Sequence, residues 1–442
     1  MEGKLKYKFD IDAPVPDVAS SHYQRYTRDN GIDTSRTVQF RVEGQPDCFI
    51  DLGECYLKTI FRLVKEDGTE IGSNPQVFPA ENYGSNLWSQ VDIRLNNTPL
   101  PPGNDYPYTG YLIDILGSSA LQRSHVLETL AGTWIPSYGS SLIRNAKDKS
   151  YRSSKDLCKN SKEIIVYSRI HSDFMTSCSQ FLPNNMDLDI TLQRSKDAFV
   201  LGGEIKYSID PATATERVRM PEAVKIQMES VSLFVKRVCL NPAATALMDK
   251  SLATGGHLQY QRLQTIAFQC AKGMQTWNWR NCFNNLAPQR AFVALVTQEA
   301  YHGSLARTST FLESANVASV RFILDGREIM AEPYQTKFAY NSNGVIDSEK
   351  TQAIPAFHGL CNTMGVITSV RNNFGITYDN FIDGATVFAV DLGYSDSTQV
   401  VSGSFDVCIN FAQPCEEPYM VIVMGEFPKI LSFDANRKIS PV

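Results

Sequence analysis

The sequence predicts an all-β chain folded as two tandem eight-stranded jelly rolls, with short helices in the long loops. The first observation behind this is a repeat: WSQVDIRLNN (88–97) and VASVRFILDG (317–326) follow one pattern, their starts 229 positions apart. Val91, Ile93 and Leu95 alternate with Asp92, Arg94 and Asn96, as Val320, Phe322 and Leu324 do with Arg321, Ile323 and Asp325. Each run ends in a two-residue reversal, Asn96-Asn97 or Asp325-Gly326, types that tolerate the positive φ of a tight hairpin. Leu100 and Ile329 then resume the apolar pattern. The second observation is length, since 442 residues suit two β-domains of about 200 residues better than one core. The third is composition: 19 Tyr, 23 Phe and 21 Pro favour strands and turns.

Residues 1–35 are polar and turn-rich, with Pro14, Pro16 and Gly31, and read as an extended N-terminal arm outside any core. The first jelly roll is placed at 36–210. It opens with VQFRV (38–42), and residues 47–64 supply two strand stretches separated at Gly53, before Asp67-Gly68 turns the chain. Residues 109–130 are the clearest helical segment, with Tyr111, Leu112, Ile115 and Leu116 at helix spacing and a break at Gly117-Ser118-Ser119. Residues 137–163 form a Ser-, Lys- and Asp-rich surface excursion, and strands resume at 163–170 and 186–192.

A linker at 211–221 leads to the second jelly roll, 222–442. Residues 223–240 resemble 47–64 in kind, residues 244–253 have helical character, and 255–288 read as a long connection holding Trp277 and Trp279. AFVALVTQEA (291–300) is apolar enough for a strand buried on both faces. A polar loop at 339–350 precedes strands at 386–392, 404–412 and 418–431, the last two expected to be antiparallel neighbours across the PCEEP link. Short strands with long excursions suit the Greek-key connections of jelly rolls.

The formal charge of −5, from 42 basic and 47 acidic residues, excludes the broad basic field of a nucleic-acid binder. Arg144, Lys147, Lys149 and Arg152 form a local basic run of the kind usually found on a solvated loop. The N-terminus lacks the apolar region of a signal peptide, and no stretch reaches the ~18 apolar residues of a membrane span. Synthesis in the cytosol is therefore expected. The ten cysteines, among them Cys55, Cys239 and Cys408 inside strand-like runs, read as free buried thiols, not a disulfide framework.

Catalytic patterns are sparse. His22, His125, His171, His257, His302 and His358 stand far apart and read as surface or packing residues, with no zinc-type spacing. Walker, GxGxxG and GxSxG loops are absent. His171-Ser172-Asp173 holds triad residue types, but strand neighbours point to opposite faces. Asp187 and Asp189 share a face that reads as the solvated side of an amphipathic strand, and Trp277 and Trp279 share one suited to a core rim or a subunit contact. No catalytic, cofactor-binding or metal-binding residue is assigned, and no cofactor is expected.

Several stretches resemble a known family: residues 89–116, 182–201, 288–304 with 320–329, and 425–439. Together they are similar to the double jelly-roll major capsid protein of Polinton/Maverick-type elements and adintoviruses, from about residue 40 onward. The resemblance implies a homotrimer with a pseudo-sixfold outline, and an icosahedral virion shell around a DNA genome. It implies partners too: further capsomers, a single-jelly-roll vertex (penton) protein and minor capsid proteins, with no specific nucleic acid. Synthesis would be in the host cytoplasm, with assembly there or in the nucleus. The family supplies no catalytic residues, so a non-enzyme is expected. The rival readings are a glycan- or amide-hydrolysing tandem sandwich using Asp187, Asp189 or Glu299, and a glycan binder using Trp277 and Trp279.

Overall fold

The structure, a computed structural model, describes residues 18–28, 36–103, 105–136, 149–178, 180–203, 206–209, 216–219, 223–341, 346–367, 374–393 and 401–440. Its main strands fall into two sets of eight. The first set is β1 (Val18–Arg28), β2 (Thr37–Val42), β3 (Cys48–Lys65), β4 (Trp88–Leu95), β5 (Thr98–Pro99), β6 (Ile164–Arg169), β7 (Leu188–Arg194) and β8 (Val224–Leu240). The second is β9 (Gly256–Cys270), β10 (Thr276–Trp279), β11 (Arg290–Thr297), β12 (Val317–Leu324), β13 (Arg327–Glu328), β14 (Val387–Asp391), β15 (Phe405–Phe411) and β16 (Tyr419–Phe433).

Pairing repeats with an offset of eight. The first set forms sheets β1-β8-β3-β6 and β2-β7-β4-β5, and the second forms β9-β16-β11-β14 and β10-β15-β12-β13. Each is a jelly roll, because successive strands cross between two sheets except at one hairpin, β4–β5 in the first and β12–β13 in the second. The paired hairpins seen in the sequence are real. Asn96 and Asn97 have φ of 45° and 64°, and Asp325 and Gly326 have 49° and 77°. Leu100 N–H donates to Ile93 C=O and Ile329 N–H to Phe322 C=O, the same bond in each copy.

Several expectations are corrected by the pairing. Part of the expected arm, Val18–Arg28, is the first strand of the first roll, paired with β8. It is largely exposed, yet Arg237, buried on β8, holds Gln24 Oε1 and Tyr26 Oη at 2.6 and 2.9 Å. Residues 224–240, expected to open the second roll, close the first by pairing with β1 and β3. Their likeness to 47–64 is that of two strands sharing a ladder, which hydropathy cannot tell from duplication. The expected linker contributes Glu216–Arg219, which pairs with Lys206–Ile209, while 210–215 and 220–222 lie outside the described residues.

The break at Gly53 is a bulge within one long strand: residues 52–55 stand opposite Val235 alone, between Tyr56↔Phe234 and Asp51↔Lys236. The expected connection 255–288 contains β9 and β10, since its Gln-rich face masks the buried Leu258, Tyr260, Leu263 and Thr265. β15 and β16 are not neighbours, because the PCEEP link carries the chain from one sheet to the other. Cys239 is not a free thiol. It faces Cys48 across β3 and β8 and is bonded to it over 191 residues of sequence. Arg144 and Lys147 of the basic run lie outside the described residues.

The helical expectations agree. Tyr106–Gly117 is a helix, broken at Ser118, and Ala120–Ala131 continues as short helical turns. Pro242–Ser251 is a helix capped by Asn241, whose side chain accepts from Ala244 N–H.

The two cores interlock. The first roll's core takes in Leu258, Tyr260, Leu431 and Phe433 from the second roll. The second roll's core takes in Tyr108, Tyr111, Leu112, Ile115 and Leu116 from the first roll's helix. The rolls therefore share one seam.

Candidate functional site

The carboxylates weighed from the sequence do not converge. Asp187 accepts from Gly44 N–H at 2.9 Å and faces Arg41 at 3.4 Å, while Asp189 lies between Arg41 on β2 and Arg94 on β4. Asp189 sits on the outer side of β7 and Asp187 just before its start, each beside a cation. Glu299 lies in the helix Gln298–His302 of the second roll, bonded to Ser304 and Arg307 at 2.7 and 2.9 Å. Trp277 is buried and donates its indole N–H to Gln269 C=O, while Trp279 stacks on Phe268 at 4.0 Å between centroids. They share a face, as expected, but only Trp279 is exposed to solvent.

The structure does build one constellation that the sequence hides. Ser85 Oγ lies 3.2 Å from His171 Nδ1, and His171 Nε2 lies 2.8 Å from Asp114 Oδ1. These residues are 1%, 3% and 8% exposed. His171 follows β6, Asp114 comes from the helix Tyr106–Gly117, and Ser85 from the turn Tyr83–Asn86. The residue types are those of a hydrolase triad, but a nucleophile must reach its substrate. The adjoining cavity is about 20 Å³, lined by Val91, Leu100, Tyr106, His171, Asp173 and Leu263. That space holds one water and no glycan or peptide.

The constellation is one end of a polar network across the seam. Thr133 Oγ1 donates to Asn82 Oδ1 at 3.0 Å, and Asn82 Nδ2 to Asn86 Oδ1 at 3.3 Å. Asn86 Nδ2 donates to Glu81 C=O at 2.9 Å and to Ser309 Oγ of the second roll at 3.4 Å. Thr308, also of the second roll, donates to the Glu81 carboxylate. Tyr108 stacks on Tyr301 at 5.5 Å, and Tyr301 Oη donates to Asp105. This network fixes how the rolls meet, because a slipped arrangement would strand its donors in a dry interior. The one sequence signal for it is Asp114, a carboxylate inside an apolar helix.

Titration elsewhere is dominated by burial. Asp173, on the cavity wall, is pushed up to about 6 by desolvation, against the pull of Phe174 N–H and Arg262. Desolvation pushes the thiols of Cys55, Cys158, Cys270 and Cys282 up to about 12, which keeps them protonated and inert. Among the described residues no group of three or more His, Cys, Asp or Glu could hold a metal ion, and no helix is long and apolar enough to cross a membrane.

No family model and no curated protein matches the chain. Solved structures do match. A chain of the Sputnik virophage cryo-EM structure aligns over 100% of this chain and 92% of its own, with TM-score 0.61 and 9% identity. The fold is the double jelly roll. The Faustovirus major capsid protein aligns over 98% of this chain and 93% of its own, with TM-score 0.54 and 11% identity. The mavirus major capsid protein aligns over 98% and 92%, with TM-score 0.52 and 12% identity. At such identities the shared property is the double jelly roll itself, kept over the whole length of each chain.

Proposed function

We propose that this chain is a viral major capsid protein. The supporting observation is the match of the chain across both rolls to the major capsid proteins of Faustovirus and mavirus. The interlocked cores suit a rigid building block, and the sealed Ser85–His171–Asp114 group suits a structural bolt. On this reading three copies form a capsomer of six sandwiches with pseudo-sixfold outline. Capsomers then tile an icosahedral shell around a DNA genome, with a single-jelly-roll protein at the vertices and minor proteins between. The stretches named above favour Polinton/Maverick-type elements or adintoviruses as the source. The chemistry is adhesion between copies.

Negative-stain electron microscopy of the purified protein tests this. Six-sided particles with a threefold average, or closed shells, are the expected images. Uniformly asymmetric, two-lobed single chains at high concentration and varied salt would refute the reading.

A further inference from the structure

The second roll holds two thiols that the fold brings together and leaves unbonded. Cys270 is the last residue of β9, and Cys415 lies in the link that carries the chain from β15 into β16. Their sulfurs are 3.9 Å apart across 145 residues of sequence. Neither is loose. The turn after β9, with Gly273 at φ 85°, lies against the link. Gly273 N–H donates to Cys415 C=O at 2.8 Å, and Cys415 N–H to Met274 C=O at 2.9 Å. On the other side of Cys270, Gln269 C=O accepts the Trp277 indole N–H at 3.2 Å. Both cysteines belong to the second core, so the thiols meet in a fixed place.

The pair is unequal. Cys270 is fully buried, while Cys415, 5% exposed, sits between Pro414 and Glu416, both open to solvent. Desolvation raises the pKa of both thiols. For Cys415, the Cys270 S–H and its own backbone N–H pull the other way. For Cys270, pushed up to about 12, Cys415 adds to the rise. Cys415 is therefore the thiol that ionises first and meets an oxidant, and Cys270 the one that waits beside it.

We infer that Cys270 and Cys415 are a disulfide site, closed by an oxidant of the hydroperoxide class. Hydrogen peroxide takes the Cys415 thiol to a sulfenic acid and releases one water. The Cys270 sulfur then displaces hydroxide from the Cys415 sulfur, and the Cys270 proton leaves with it as a second water. Peroxide gains two electrons, and the two thiols lose them. The sulfurs must close from 3.9 Å to about 2.0 Å, a movement that side-chain rotation and the exposed link supply. The first roll already carries such a bond, Cys48–Cys239, near the end of its last strand, β8. A Cys270–Cys415 bond ties the entry to β16, so that each roll has its last strand fixed by a crosslink. The second crosslink forms when the chain passes from a reducing compartment to an oxidising one.

The test treats the full-length protein with hydrogen peroxide, unfolds it in N-ethylmaleimide, and digests it with trypsin and chymotrypsin without reductant. Cleavage after Phe411 separates Cys408 from Cys415. Mass spectrometry should find the Cys270 and Cys415 peptides joined, and the oxidised protein should melt about 5 °C higher. In Cys270→Ala the crosslink and the rise should vanish, and dimedone should trap a sulfenic acid at Cys415. In Cys408→Ser, which removes a thiol of β15, both should persist. If Cys270→Ala does not fold, the wild-type peptide map decides alone. Cys415 oxidised past the sulfenic acid while Cys270 is still alkylated overturns the inference. So does a protein whose Cys361 and Cys408 are oxidised while Cys270 and Cys415 are both alkylated. A crosslinked protein that melts no higher overturns the role of the bond in tying β16.

Discussion

Val423 has no exposed surface and lies mid-strand on β16, between Ile266 on β9 and Val293 on β11. Val423→Asp sets an unpaired carboxylate there at a penalty of about 3–5 kcal/mol, so soluble expression should be lost. At the seam, His171→Ala removes one partner from each of Ser85 and Asp114. A loss of about 2–4 kcal/mol in stability by urea denaturation is expected. Asp173 gives a pH signature. Its folded pKa, about 6, lies above its ordinary value of 3.8, so the unfolded chain releases this proton first as pH rises. Its contribution to stability is therefore present at low pH, falls between about 4 and 6, and levels off above. Asp173→Asn should flatten thermal stability across that window, and an unchanged slope would remove Asp173 as the cause. Single residues were only partly legible in sequence. Alternation predicted buried Val320 and Phe322, but nothing local to Ser85, Asp114 or His171 shows that 86- and 57-residue separations close in space.

At the scale of elements, hairpins were the most readable feature. Their left-handed residues at 96–97 and 325–326 are dictated by local sterics. Apolar alternation marks most strands, but glutamines dilute it in β9. Pairing was the least readable, because any amphipathic strand fits several ladders and hydropathy does not encode which. Hence pattern alone sets β1 and β8 in the wrong units and leaves Cys48–Cys239 unmarked. That bond ties the start of β3 to the end of β8 and should add about 2–4 kcal/mol. Cys239→Ser should lower the melting temperature under non-reducing conditions and match the wild type under strong reductant. An equal deficit in both conditions would show that packing, not the crosslink, is responsible.

For the whole molecule, the two rolls are one sandwich plan used twice, and their cores run into each other at the seam. Fold class and duplication were legible because composition, length and repeated hairpins act over hundreds of residues. The seam was not, because it depends on which faces meet. A chain of two fused, similar blocks suits a closed threefold ring, since six near-equivalent sandwiches then need only three copies. A contact of this kind buries on the order of 2,000–5,000 Å² and persists at dilute concentration. Mass photometry of the purified full-length protein tests that most directly. A dominant species at 147.9 kDa, three times 49.3 kDa, is expected, and a strictly 49.3 kDa species at every concentration and salt would contradict a threefold ring.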